Sequence, residues 1–453
     1  MKLRPYQEKW LDDIREAHKA GHQGVIGQMP TGGGKTVAGI GEPCRRILAR
    51  GGSVLLLVHR DELVKQTADK LERFGLPYGI IAAKWGRNPR PHAPIQIAMV
   101  QTLRNRIDTV REPSYIIVDE CHLAAAKTYV DIFERFPKTK RLGLTATPCR
   151  MDGIGFEKLA TALVTGPTFK EMNEIWDGNP SSGLVRAECW SIDDVDLAEI
   201  RMNRHGEYDQ QDAASHYEQQ YLIGSVVNEY IKHAEDRTGL VFCTSVKHSM
   251  SIRDEFISRG IAAEHIDGTT PKAERDETLA ALDRGDIQVV TNCAVLIEGL
   301  DITSISAISL ATPTGSLSKY LQMVGRASRP HPGKDKFIII DHGGCVLRHG
   351  SPNYEREWSI VGKKKGKREA GIIMAAVCPE CGLAQEVGTE ECYRCGAEMK
   401  RDRVLAQKEG ELRKLDDTVA PIKKRMSRQE ITEARAKRRT ERERTRAFFG
   451  GML

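Results

Sequence analysis

The stretch Gly27-Gln-Met-Pro-Thr-Gly-Gly-Gly-Lys35-Thr36 decides how this chain is read. An apolar run, Gly24 to Gln28, precedes it and reads as a buried strand. The glycines let backbone N–H groups close on phosphate oxygens, and a helix beginning near Lys35 would aim the positive end of its dipole inward. In that reading Thr31, Gly32, Gly33, Gly34, Lys35 and Thr36 hold a nucleotide: Lys35 meets the β/γ-phosphates and the Thr36 hydroxyl binds Mg²⁺. Met29 stands where the general pattern has glycine, so taken alone the stretch also fits a glycine-rich turn between strand and helix.

At 453 residues the chain is too long for one ordinary core and implies two or three domains. Hydrophobic residues at 40% and charged residues at 29% are ordinary for a globular protein. No apolar run reaches the roughly 18 residues of a membrane span, and the N-terminus lacks a secretory pattern, so a cytoplasmic location is expected. Seven of the 11 cysteines are scattered and read as reduced thiols. Residues 400–453 carry 17 basic and 9 acidic side chains, a net +8; the whole chain is +6, so residues 1–399 carry −2. The basicity belongs to the tail, which is either a solvated charged face or a partner for a polyanion.

Short apolar runs alternate with amphipathic stretches in two series, the signature of parallel α/β sheets. The first comprises Gly24–Gln28, Val54–Val58, Ile95–Val100, Tyr115–Val118 and Leu142–Thr145; the second Leu240–Thr244, Ala263–Asp267, Ile287–Thr291, Ile305–Leu310 and Phe337–Asp341. The expected organisation is a first lobe over 1–165, a connector over 166–220, a second lobe over 221–360, a basic linker over 361–376, a cysteine module over 377–400 and a basic helical or disordered tail over 401–453.

Tyr115-Ile-Ile-Val-Asp119-Glu120-Cys-His122 places two carboxylates just past a buried run, at the sheet end where ligands collect. Asp119 would hold Mg²⁺ opposite Thr36, and Glu120 would orient and deprotonate a water attacking an anhydride. A solvent-exposed acidic strand end is the plainer alternative.

In order along the chain, Gln7, the phosphate loop, Asp119-Glu-Cys-His122 and Leu144-Thr145-Ala-Thr147-Pro148 resemble the motifs of superfamily 2 helicases of the DEAD/DEAH-box (DExH) group. Leu57-Val-His-Arg60-Asp-Glu-Leu63, Val100-Gln101-Thr102, Val241-Phe-Cys-Thr244-Ser245, Thr291-Asn292 with Glu298-Gly299-Leu-Asp301, and Gln322-Met-Val-Gly-Arg326-Ala-Ser-Arg329 extend the resemblance over residues 3–345. The variants Leu3-Arg4-Pro-Tyr6-Gln7, Val58-His-Arg-Asp-Glu-Leu63 and Thr145-Ala-Thr-Pro-Cys-Arg-Met-Asp-Gly153 are similar to phage and bacterial helicases related to type III restriction enzyme motor subunits.

The resemblance implies two RecA-like lobes with ATP and Mg²⁺ between them. It makes Arg326 and Arg329 arginine fingers, sets Gln322 near the γ-phosphate, lets Gly299 and Asp301 line the cleft, and places Arg4 and Gln7 in the nucleotide site. Gln7 also suits an ordinary position in an N-terminal helix. Thr145 and Thr147 would couple the carboxylates to lobe closure, and His122 would link them to Gln322–Arg329. Arg60, Gln101, Thr102, Thr244, Ser245 and Thr291 would touch a sugar-phosphate backbone, although several also suit helix caps.

Cys378-Pro-Glu-Cys381 and Cys392-Tyr-Arg-Cys395 are ten residues apart, and each runs into glycine, at Gly382 and Gly396. Paired CxxC knuckles at this spacing read as a closed Cys₄ Zn²⁺ ribbon, with a redox dithiol as the alternative. The reading is an α/β protein of two tandem parallel-sheet lobes with a zinc ribbon and basic tail, acting as an ATP-dependent DNA helicase or translocase. Single-stranded, duplex or branched DNA is the expected partner, with replication or recombination proteins as further partners through the ribbon or tail. An RNA helicase and a non-unwinding, ATP-switched clamp are the alternatives.

Overall fold

The computed structural model of the chain describes residues 3–86, 90–123, 127–150, 153–176, 182–191, 200–203, 206–217, 220–297, 302–362 and 375–399. Seven parallel strands make the first sheet: β1 (Gly24–Gln28), β2 (Val54–Val58), β3 (Tyr78–Ile81), β4 (Ile95–Met99), β5 (Tyr115–Val118), β6 (Lys140–Thr145) and β7 (Ala162–Thr165). Their order is β3-β4-β2-β5-β6-β1-β7. Six more parallel strands make the second: β8 (Arg186–Ser191), β9 (Gly239–Cys243), β10 (Ala263–Ile266), β11 (Val289–Cys293), β12 (Ala307–Ala311) and β13 (Lys336–Asp341), in the order β10-β11-β9-β12-β13-β8. A small antiparallel pair, β14 (Ala375–Val377) and β15 (Ala384–Glu386), belongs to the cysteine module.

Both faces of each large sheet are covered, which is why the central strands read as unbroken apolar runs instead of alternating ones. Val54–Val58 and Gly239–Cys243 are buried at every position. One face of the first sheet packs Trp10, Leu56, Leu71 and Leu142, the other Ile26, Leu57, Ile116 and Phe133. The helix Asp61–Arg73 shows how a neighbour docks: Leu63, Val64, Thr67, Ala68 and Leu71 form one buried stripe.

The expected connector over 166–220 is not wholly a connector. Its residues Arg186–Ser191 pair in parallel with β13, so the second sheet acquires an edge strand from before the expected start of that lobe. The chain also crosses back. Beyond the second sheet, the Ile360 carbonyl accepts from Phe156 N–H at 2.7 Å, and Gly362 N–H donates to Glu157 Oε1 at 3.0 Å, so this strap ends on the first lobe. Lys400 and the whole tail lie outside the described residues, as does most of the basic linker. Among the described residues no helix is long and apolar enough to cross a membrane.

The second lobe buries two histidines with depressed basicity. Burial pushes the pKa of His342 and of His349 down to about 4; His349 Nε2 lies 2.9 Å from the Thr314 carbonyl, and His342 Nε2 is buried with no hydrogen-bond partner among the described residues. An unfolded histidine takes up a proton near pH 6.5, so between pH 6.5 and about 4 the unfolded chain binds more protons and stability is lost as the pH is lowered. The thermal unfolding midpoint of a His342→Asn variant is expected to fall less steeply than that of the parent between pH 6.5 and 5. Parallel slopes would show that His342 does not titrate on unfolding.

Candidate functional site

Strand β1 delivers the glycine-rich loop, and Gly32 and Gly34 take φ of +89° and +84°, a region glycine enters without strain. Met29 is fully buried, and a Cβ added at Gly33 would lie 2.8 Å from its Cγ. Methionine at this position therefore fills the space beneath the loop. A helix starts at Lys35, as expected, then widens into a π-helical turn over Val37–Gly41 before Glu42–Leu48. Such turns are frequent at functional sites.

Lys35 Nζ donates to the carbonyls of Met29 (3.1 Å) and Pro30 (3.4 Å). Burial lowers its pKa, Glu120 and Asp119 work against that, and Arg326 and Arg329 lower it further. The N-terminal segment braces the same loop: Gln7 Nε2 and the Tyr6 hydroxyl both donate to the Gly33 carbonyl, at 3.1 and 3.2 Å. Arg4 donates to the Tyr6 hydroxyl at 2.8 Å and through its backbone N–H to Gln7 Oε1 at 3.0 Å. Gln7 is a helix residue, as its plainer reading had it, and is bonded to the loop as well.

Asp119 and Glu120 follow β5, with Glu120 at φ +47°, an uncommon conformation for a residue with a side chain. Its N–H donates to Asp119 Oδ1 at 3.1 Å. Burial and the Glu120 charge push the Asp119 pKa up, against the pull of Lys70 and Lys35. Burial acts upward on Glu120 too, but His122, Lys35 and Arg326 outweigh it and hold that carboxyl below its usual range.

His122 Nδ1 lies 3.4 Å from Glu120 Oε2 and 3.2 Å from Thr145 Oγ1. Thr145 Oγ1 accepts from Thr147 N–H at 3.0 Å, and Thr147 Oγ1 donates to Ser318 Oγ at 2.7 Å. Ser318 sits in the helix Leu317–Val324 of the second lobe, so one chain of polar contacts runs from the carboxylates across the cleft. Sequence reading did not single out Ser318. Nor did it find Lys70, whose ammonium donates to Thr36 Oγ1 at 3.4 Å and is the foremost cation drawing down the Asp119 pKa. No local pattern could have shown either, because the partners are 171 and 34 residues apart in sequence.

The same second-lobe helix carries Gln322 and ends at Gly325, and the following turn lies directly on the glycine-rich loop. A Cβ at Gly325 would meet Thr31 Cβ at 2.7 Å, and one at Gly32 would meet Ser328 Oγ at 3.2 Å and Arg329 Cγ at 3.5 Å. Ser328 Oγ donates to the Gly325 carbonyl at 2.9 Å and lies 3.4 Å from the Thr31 carbonyl. Arg326 is buried and its Nε donates to the Ile297 carbonyl at 2.9 Å. Gln322 is buried, and its Nε2 has no hydrogen-bond partner among the described residues. Thr36 and Asp119 carry the hard oxygen donors that Mg²⁺ takes, and the Lys70 ammonium hydrogen-bonds Thr36 and acts electrostatically on Asp119. Gly299 and Asp301 lie outside the described residues.

The six backbone-contact candidates divide. Arg60 and Gln101 are exposed at the C-terminal ends of β2 and β4. Thr102 Oγ1 accepts from Ala83 N–H at 3.1 Å, Thr244 Oγ1 lies 2.9 Å from His248 Nδ1, and Ser245 Oγ caps the helix Val246–Ser258 by accepting from His248 N–H. Thr291 is placed differently from the expectation: it is fully buried within β11 and its hydroxyl donates to the Ser249 carbonyl at 2.9 Å, which removes it from any surface strand.

Cys378, Cys381, Cys392 and Cys395 bring their four sulfurs within 4.8 Å of one another. Tetrahedral Zn–S bonds of about 2.3 Å put sulfurs roughly 3.8 Å apart, and the Cys378–Cys395 and Cys381–Cys392 pairs are each at 3.6 Å. The donor set fits Zn²⁺. Gly382 and Gly396 take φ of +77° and +72°, as the knuckle turns require. The module is joined to the second lobe: Ser191 N–H donates to the Gly382 carbonyl, Arg394 pairs with Glu188 at 3.2 Å and lies 4.3 Å over the Trp190 ring, and Cys378, Leu383, Cys392 and Met399 share a core with Trp190.

Two family profiles match the chain: "Type III restriction enzyme, res subunit" over residues 1–150 and "Helicase conserved C-terminal domain" over residues 223–331. A 51.5 kDa protein of Lactococcus phage (isolate 7-9) is 32% identical over 394 residues, which cover 85% of this chain and 81% of that one. A Schizosaccharomyces pombe protein provisionally named as the mitochondrial ATP-dependent helicase irc3 is 31% identical over 362 residues, covering 77% of this chain and 58% of its own length. The ATP-dependent Type ISP restriction-modification enzyme LlaBIII, solved bound to DNA, superposes with a TM-score of 0.55 at 16% identity, covering 75% of this chain and 28% of that one, and shares the fold. With the ordered motifs and the two facing lobes, these matches establish that the chain belongs to the superfamily 2 helicases, in the group that joins a type III restriction enzyme res-subunit domain to a helicase conserved C-terminal domain.

Proposed function

We propose that the chain is a DNA-stimulated ATPase that moves along or remodels DNA, hydrolysing ATP between its lobes. The observation that carries this reading is the direct seating of Gly325–Arg329 on Thr31 and Gly32, which makes one site from two lobes. In this reading Lys35 and the loop amides bind the phosphates, Glu120 takes the proton of the attacking water, and Arg326, Arg329 and Gln322 meet charge developing on the γ-phosphoryl group. Thr36 and Asp119 would hold Mg²⁺, which when bound neutralises phosphate charge. Thr145 and Thr147 carry the position of the second lobe to His122 and Glu120. DNA is preferred as the track because LlaBIII, which shares the fold, is described bound to DNA. The four module cysteines would hold Zn²⁺ and cross-link the two knuckles.

Single-stranded, duplex and forked DNA should each be compared with RNA as stimulators of ATP turnover. Stimulation by DNA supports the reading; stimulation by RNA alone moves the track to RNA, and a rate indifferent to both sinks the motor. Glu120→Gln should lower turnover roughly 10²–10⁴-fold while nucleotide still binds, and Lys35→Ala should lose nucleotide binding itself.

Thr147→Val and Ser318→Ala should each slow stimulated turnover about 5-fold, near 1 kcal/mol for one hydrogen bond. The double variant should be no slower than either; additive losses would mean the 2.7 Å contact is not used. Purified protein should contain about one zinc per chain. Its removal by chelator should lower the unfolding midpoint of the second lobe and red-shift Trp190 emission, whereas metal-free protein with an unchanged midpoint would assign the cysteines another role.

A further inference from the structure

The chain has five tryptophans, and one of them stands at the surface. Trp10 and Trp190 are buried and Trp176 and Trp358 are partly buried, but Trp85 is 43% exposed. It ends the short 3-10 turn Ala83–Trp85 that follows β3, and it belongs to none of the hydrophobic cores. A single exposed aromatic is ordinary by itself; what makes Trp85 informative is that its indole offers a flat apolar face beside a row of exposed cations.

Its neighbours indicate what ligand that face suits. Strands β3, β4 and β2 are adjacent at one edge of the first sheet, so the segments leaving their C-terminal ends lie side by side. Ala83 N–H donates to Thr102 Oγ1 at 3.1 Å, which ties the Trp85 turn to the segment after β4, and Lys84 Nζ lies 3.9 Å from Asp61, which ties it to the segment after β2. Arg60, Lys84 and Arg104 are exposed along this edge with the amide of Gln101. Among the described residues Lys84 and Arg104 lie 3.9 and 3.5 Å from half-buried carboxylates, those of Asp61 and Asp131, with both cations themselves well exposed, long pairings that a phosphate can displace. The glycine-rich loop follows β1, separated from β2 by β5 and β6, so this edge is not the nucleotide site.

An exposed indole bordered by cations matches the chemistry of single-stranded nucleic acid, where bases stack on aromatic rings and cations track the phosphates. We propose that Trp85 is a base-stacking residue for a single DNA strand lying across the β3-β4-β2 edge, with Arg60, Lys84 and Arg104 along its phosphates. The inference rests on the reading of the chain as a DNA motor and adds a base contact to a surface otherwise read as meeting only the backbone.

The test measures binding of the full chain to an oligo-dT strand and to a strand of abasic residues of equal length, by anisotropy of an end label and by tryptophan quenching. Trp85→Ala should weaken oligo-dT binding about 10-fold and abolish most of the quenching. Trp85→Phe should restore most of the affinity, and parent and Trp85→Ala should bind the abasic strand alike. Because Trp85 is outside both cores, the thermal midpoint of Trp85→Ala should stay at the parental value, which separates stacking from misfolding. Oligo-dT affinity unchanged by Trp85→Ala, or lost equally for the abasic strand, overturns the stacking. A parent that binds no DNA and whose ATPase no DNA stimulates overturns the motor reading, and this inference with it.

Discussion

Everything at the candidate site depends on the glycine-rich loop of the first lobe and the Gly325–Arg329 turn of the second lying in close contact. Gly325 faces Thr31 with no room for a Cβ, and Gly32 is crowded by Ser328 and Leu184 in return. That close approach sets the geometry of the other parts. Gln7 and Tyr6 hold the loop from one side through Gly33, Met29 fills the space beneath it, and Arg326 and Arg329 are close enough to lower the Lys35 pKa. The first-lobe contacts would survive if the lobes stood apart, whereas the influence of Arg326 and Arg329 on Lys35 would be lost.

The polar contacts add a second link between the lobes. Glu120, at positive φ, a histidine shared with Thr145, and a Thr147–Ser318 bond form a path from carboxylate to second-lobe helix, with steps that run from 3.4 Å at Glu120–His122 down to 2.7 Å at Thr147–Ser318. The Thr147–Ser318 step exists only while the lobes meet, which is the observation behind the coupling role proposed for Thr145 and Thr147. The strap reaching Phe156 and Glu157 is a further physical connection between the lobes.

The cysteine module is integral to the second lobe. Its Cys378, Cys392, Leu383 and Met399 complete a core with Trp190 on the edge strand β8. A module with so little interior of its own gains stability from metal and from docking together, so loss of either should be felt in the sheet it covers.

The sequence by itself determined the two parallel sheets, the loop, the acidic strand end and the zinc-type knuckles, because each is a local pattern: an apolar run, a glycine at positive φ, a pair of cysteines two apart. Expected and observed central strands agree to within two residues, and Val54–Val58 and Tyr115–Val118 agree at both ends. The edge strands β3, β7 and β8 were not legible: β3 and β7 are only four residues long, and Arg186–Ser191 lies in a stretch rich in polar residues and pairs along the edge that β13 offers. Local pattern also misplaced Thr291, since a threonine in a strand reads the same whether it faces solvent or the Ser249 carbonyl. The tertiary structure alone decided Lys70 beside Thr36, Ser318 beneath Thr147, Thr31 against Gly325 and the exposure of Trp85. Each depends on residues far apart in sequence, or on the lack of a neighbour, and neither leaves a mark in the local order of amino acids.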